Sequence, residues 1–108
     1  MSNWTKICNT DDLQPNSGIC ALVDGKQVAI FYMPKLGGVY AVDNWDPFGK
    51  ANVLSRGLIG DIDGAPMVAS PRYKQHFDLK SGQCLEEEEV KLNTYEIQIN
   101  NNCVEIRI

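Results

Sequence analysis

The chain has 108 residues, of which 44 % are hydrophobic and 22 % charged, proportions that fit one globular domain spanning 1–108. Ten Lys and Arg against fourteen Asp and Glu give a net charge of -4, which excludes the broadly basic footprint of a nucleic-acid binder. The longest strongly apolar run, residues 28–33, is far short of the roughly 20 residues needed to cross a bilayer.

The opening Met1-Ser2-Asn3-Trp4-Thr5-Lys6 lacks the apolar stretch of a secretory signal, so the expected location is cytoplasmic. Trp4, Ile7 and Cys8 precede a polar stretch, Asn9-Thr10-Asp11-Asp12, and Pro15-Asn16-Ser17-Gly18 signals a turn. Residues 19–23 and 27–33 are β-rich runs joined at Asp24-Gly25. That pair suits a type I′ turn, because both residues tolerate positive φ, and it predicts a hairpin.

After a break at 34–38, Val39-Tyr40-Ala41-Val42 reads as a strand entering the loop Asp43-Asn44-Trp45-Asp46-Pro47-Phe48. Residues 52–62 carry scattered glycines and read as loop with a short strand. Asp63-Gly64 marks another turn, and Met67-Val68-Ala69 leads into a second proline loop, Ser70-Pro71-Arg72-Tyr73. Residues 76–79 read as a strand closed by Lys80-Ser81-Gly82-Gln83.

Toward the C-terminus, Tyr95, Ile97 and Ile99 alternate with Glu96, Gln98 and Asn100. Past Asn101-Asn102, Val104, Ile106 and Ile108 alternate with Glu105 and Arg107. A period of two with one apolar face predicts an antiparallel hairpin laid on a core. Many short strands with regular turn signals, and no helix-length periodicity, predict an all-β sandwich or small barrel with little helix.

Chemistry-bearing residues are sparse. Cys8, Cys20, Cys84 and Cys103 are separated by 12, 64 and 19 positions, without the paired spacing of zinc or redox dithiol motifs. They are expected to be free and mostly buried thiols. His76 is the single histidine, which leaves no Ser/His/Asp or Cys/His set to assemble; its expected role is packing or hydrogen bonding. No phosphate-binding glycine loop is present. Glu86-Glu87-Glu88-Glu89 reads as a solvated face. No catalytic, cofactor-binding or metal-binding residue is expected.

The strand 39–42, two proline loops and Phe77-Asp78-Leu79-Lys80-Ser81-Gly82 resemble a Rieske-type [2Fe-2S] domain. Such domains hold the cluster with Cys-x-His in one loop and Cys-x-x-His in the other. Here these motifs fall on Asp46-Pro47-Phe48 and Ser70-Pro71-Arg72-Tyr73, so the prolines match while Asp46, Phe48, Ser70 and Tyr73 stand where the ligands would be. Phe48 has no donor atom, and the other three offer hard oxygens where iron–sulfur clusters favour thiolate or imidazole. No cluster is expected.

Within that superfamily the chain resembles the small-subunit family of bacterial assimilatory NADH-dependent nitrite reductases. The resemblance rests on the opening Met1-Ser2-x-Trp4-x-x-Ile7-Cys8, on Gln27-Val28-Ala29-Ile30-Phe31, on Asp46-Pro47-Phe48, on Val53-Leu54-Ser55-Arg56-Gly57-Leu58-Ile59 and on Val68-Ala69-Ser70-Pro71. It implies a non-catalytic accessory subunit. In that family a large subunit binds FAD, an iron–sulfur cluster and sirohaem, takes electrons from NAD(P)H and reduces nitrite to ammonium. A small electron carrier, or a Rieske-fold adaptor to another oxidoreductase, is the alternative, since fold alone does not fix function.

Lys50, Arg56, Arg72 and Lys74 fall in or near the two loops, with Trp45, Phe48 and Tyr73 beside them. Aromatics and Arg anchor interfaces more often than other side chains. This set is the candidate docking surface for the large subunit, with Arg56 and Arg72 as charged anchors. The competing expectation is that Phe48 and Tyr73 fill the space a cluster would occupy and brace the loops.

Overall fold

The structure, a computed structural model, describes residues 4–72 and 74–107. The expectations that fall on Met1, Ser2, Tyr73 and Ile108 lie outside the described residues. The fold is all-β, as the alternation predicts. Its strands are β1 (Thr5–Asn9), β2 (Ser17–Val23), β3 (Lys26–Met33), β4 (Gly38–Asp43), β5 (Trp45–Asp46), β6 (Ala51–Asn52), β7 (Leu58–Ile62), β8 (Ala65–Ala69), β9 (His76–Asp78), β10 (Thr94–Asn100) and β11 (Cys103–Arg107). Helical structure among the described residues is limited to single 3-10 turns at Thr10–Asp12, Pro34–Leu36 and Leu54–Arg56.

Six strands form one antiparallel sheet in the order β1-β11-β10-β4-β3-β2. A second sheet has the order β7-β8-β9, and β5 and β6 make a short ribbon. The predicted hairpin turn is present, with φ of 49° at Asp24 and 79° at Gly25. Asp63-Gly64 and Asn101-Asn102 repeat it, each with both residues at positive φ.

The continuous apolar run of β3 has a simple cause: both of its faces are covered. Val28 and Ile30 join Leu13, Val23, Ala41, Val104 and Ile106 in one core cluster. Ala29, Phe31 and Met33 point the other way and join Leu54, Val68, Phe77, Leu79 and Leu92 in a second cluster. That second core welds the small sheet and the 54–56 turn to the large sheet. The C-terminal hairpin alternates because only one of its faces meets a core.

Two expectations change. β1 is a strand that the pattern conceals, because its register against β11 shifts between Lys6 and Cys8 and breaks the alternation. The short strand expected within 52–62 is β7, at 58–62, and it follows a 3-10 turn. The cysteines are free but not mostly buried: Cys84 is buried, Cys8 and Cys103 are half-buried, and Cys20 is exposed on the edge strand β2.

Candidate functional site: a braced basic tip

β4 and β8 each deliver the chain into a proline loop at the same end of the molecule, and the two loops share one geometry. In the first, the Lys50 amide donates to the Asp46 carbonyl at 2.7 Å; in the second, the Lys74 amide donates to the Ser70 carbonyl at 3.0 Å. The closing lysines are left-handed, with φ of 54° and 64°. Among the described residues, the other non-glycine positions at positive φ are all Asn or Asp, which tolerate that region. A lysine held there carries a backbone cost of roughly 1 kcal/mol.

Asp46 and Ser70 are buried, and they are bonded to each other: the Ser70 hydroxyl donates to Oδ2 of Asp46. The second carboxyl oxygen, Oδ1, accepts from the Phe48 amide at 2.9 Å. A contact between polar side chains 24 residues apart therefore ties one loop to the other. Gly49 permits this closeness, since a Cβ there would meet Asp46 Oδ2 at 2.9 Å and Arg72 Cδ at 3.3 Å. Below the bridge, the Phe48 and Phe77 rings pack at 6.0 Å between centroids, tilted by 44°.

Asn44 anchors the first loop from underneath and is almost fully buried. Its Oδ1 accepts from the Ser55 amide at 2.8 Å, and its Nδ2 donates to the Asn52 carbonyl at 3.0 Å. Its own amide and carbonyl bond Gln27 and Leu54. Nothing in the pattern flags Asn44, because Asn in a loop is ordinarily solvated.

Around this base the surface is cationic. Lys50, Arg56, Arg72 and Lys74 are all exposed, and Trp45 is 46 % exposed. Residues 44–57 and 70–75 hold these four cations and one carboxyl, the buried Asp46, for a net +3. The remaining six cations and thirteen carboxyls sum to -7. Among the described residues no carboxylate pairs with Lys50, Arg56 or Lys74. Candidate docking residue Tyr73 lies outside the described residues.

His76 sits at the start of β9 and is hydrogen-bonded, as expected of it. Its partner is Glu86: Oε1 accepts from the His76 amide and Oε2 meets Nδ1, both at 2.7 Å. Glu86 is thus not merely part of a solvated run. Burial alone would raise its pKa, but the bonds from His76 outweigh it and hold the carboxyl below its ordinary value.

The family model for the Rieske-like [2Fe-2S] domain matches residues 3–107. The chain is 45 % identical over 107 residues to the nitrite reductase (NADH) small subunit of Salmonella typhimurium, covering 99 % of each chain. The chain belongs to the nitrite reductase small-subunit family, within the Rieske-like domains. The solution structure of the Escherichia coli protein NirD superposes with a TM-score of 0.90 at 44 % identity, covering 100 % of this chain and 98 % of that one. The nitrite reductase [NAD(P)H] large subunit of Klebsiella oxytoca contains a stretch 39 % identical over 102 residues, which is 94 % of this chain and 10 % of that one.

A small-subunit member with a Rieske-like fold raises the question of whether the tip suits a [2Fe-2S] cluster. It does not. At the two cysteine positions Asp46 and Ser70 direct oxygen atoms at each other, and at a histidine position Phe48 presents a hydrocarbon ring packed on Phe77. Among the described residues no group of three or more His, Cys, Asp or Glu is arranged to hold a metal ion. Phe48 is half-buried against the second core cluster, while Trp45 and the cations face solvent.

Proposed function

We propose that this chain is the accessory small subunit of a cytoplasmic NAD(P)H-dependent nitrite reductase, and that its basic tip is the surface that docks on the large subunit. The chemistry belongs to the partner, which carries the NAD(P)H site, FAD, sirohaem and an iron–sulfur cluster and reduces nitrite to ammonium. The observation that carries the docking assignment is the pair of left-handed lysines at matching positions of two loops braced by Asp46 and Ser70. Local backbone cost is retained where surroundings enforce it, and such sites cluster at functional surfaces. Charge segregation adds to it: a tip of net +3 in an acidic chain steers toward an acidic partner patch.

In this account the buried bridge holds the two loops rigid, so binding orders few side chains and loses little affinity to entropy. Arg56 and Arg72 are the charged anchors, Lys50 and Lys74 extend the field, and Trp45 supplies apolar area. Against the electron-carrier alternative stands the scatter of the cysteines, since no group of three or more His, Cys, Asp or Glu comes together among the described residues.

Reconstitution tests the proposal. The purified large subunit is assayed for NAD(P)H-dependent nitrite consumption alone and with increasing amounts of this chain. Saturable formation of a complex and a change in turnover are expected. A large subunit that neither binds the chain nor changes its turnover in response would end the assignment.

A further inference from the structure

The Klebsiella oxytoca large subunit holds, within one polypeptide, a stretch related to 94 % of this chain. There the counterpart of this domain is joined covalently to the rest of the large subunit. The connection enters at the first strand, leaves from the last, or does both, so the positions of those two points carry information.

The register fixes them. β1 and β11 are antiparallel neighbours with Thr5 opposite Ile106, so the start of β1 and the end of β11 lie side by side. Ile106 stands opposite Ile97 of β10, while Thr94 of β10 stands opposite Val42, near the end of β4. Both points are therefore at the end of the six-stranded sheet where β4 passes into the first proline loop. Following the strand order, they stand roughly 14 Å across the sheet from that exit and about 10 Å along it.

The Asp24-Gly25 turn is at this end as well, since Val28 of β3 pairs with Asp43. β1 and β2 are the two edge strands, and the open cleft of about 410 Å³ between them is bordered by Thr5 and Lys6 on one side and Asp24 on the other. The start of β1, the end of β11 and the 24–25 turn thus form one corner. Its side chains are clasped: the Arg107 guanidinium lies 4.5 Å from the centre of the Trp4 ring and pairs with Glu96. The turns at 10–16, 34–37 and 101–102 are at the opposite end of the sheet.

We propose that this corner is in contact with the large subunit when the two chains assemble. The proposal rests on the subunit assignment above and gives it an orientation that does not depend on the charge of the tip. A covalent connection at the corner holds the domain at high effective concentration against a neighbouring surface. Contact through the opposite end would require the connecting segment to double back along the strands, roughly 20 Å. A domain of the same fold in a separate chain presents the same corner to the same partner.

Amide hydrogen exchange of this chain, free and saturated with purified large subunit, tests the proposal without any substitution. Slowing of about tenfold or more is expected at residues 4–6, 24–26 and 105–107, with rates unchanged at 10–16, 34–37 and 100–102. Slowing confined to the tip loops, or to the opposite end, overturns the proposal and leaves the subunit assignment standing. Failure of the wild-type chain to form a complex overturns both. A second measurement attaches a small folded domain directly after β11, or inserts it between the exposed Asn101 and Asn102. The first fusion should bind at least about tenfold more weakly and the second like wild type. Wild-type affinity of the first fusion overturns the proposal.

Discussion

The hydroxyl of Ser70 donates to the carboxyl of Asp46, and through that bond two loops from different sheets are held as one surface. Both residues lie at positions that the resemblance aligns with the cysteines of a Rieske domain. The bond between these buried side chains is accompanied by the packed rings of Phe48 and Phe77.

The bridge predicts coupling. Asp46→Ala removes the carboxyl that accepts from the Ser70 hydroxyl and the Phe48 amide, at a cost of about 2–3 kcal/mol. Ser70→Ala costs less, and the double variant is expected to cost less than the sum, with a coupling on the order of 1–2 kcal/mol. Urea unfolding of the four proteins measures it. Strictly additive losses would mean the two residues stabilise the fold independently.

The left-handed lysines predict a trade between stability and binding. Lys50→Gly and Lys74→Gly relieve a backbone cost of roughly 1 kcal/mol, offset by a few tenths to 1 kcal/mol of added freedom in the unfolded chain. Stability should therefore hold or rise slightly while affinity for the large subunit falls. Calorimetry of the isolated chain and of the complex reads both quantities. Unchanged affinity would relegate these lysines to loop closure.

Tyr95 supplies a pH prediction. Burial raises its pKa, and the hydrogen bond to Asp43 Oδ1 at 2.5 Å together with the Asp43 charge raises it further, to about 12. A group whose acid form is favoured in the folded state contributes stability that is complete below its unfolded value near 10. That contribution disappears as pH rises through about 12. Ultraviolet titration should show one tyrosine ionising last, and Asp43→Asn should bring it down. Co-titration of all tyrosines in the folded chain would contradict the assignment.

Glu86 gives the opposite sign. Its carboxyl is held below the ordinary 4.5 by His76, so its contribution is present above that value and is lost as pH falls through the lowered one. The pair is largely exposed, which limits the effect of Glu86→Gln to about 1 kcal/mol or less near neutral pH. At strongly acidic pH the variant and wild type should converge. A difference that persists in acid would contradict a contribution that depends on the charge of Glu86.

Most of the fold could be read from alternation and turn chemistry. The 24–25 and 63–64 turns, the C-terminal hairpin and the buried run of β3 each follow from local pattern. β1 could not, since a register shift erases its period, and the short strand within 52–62 had no readable bounds, because both faces of β7 carry apolar residues and Gly60 interrupts it. The two proline loops were visible as a pair, and so was the mismatch of Asp46, Phe48 and Ser70 with cluster ligation. Their hydrogen bond was not, because it joins residues 24 apart through the arrangement of two sheets. Asn44 stayed hidden for the same reason, as did the pairing of His76 with Glu86.

The most direct measurement is the affinity of this chain for the purified large subunit at low and near-physiological salt, for wild type and for the Arg56→Glu/Arg72→Glu variant. Docking through the basic tip predicts tight binding by wild type that weakens as salt rises. The charge-reversed variant should bind at least about tenfold more weakly at low salt and show a smaller salt dependence. Equal affinity and equal salt dependence of the two proteins would place the large subunit on another surface and contradict the account.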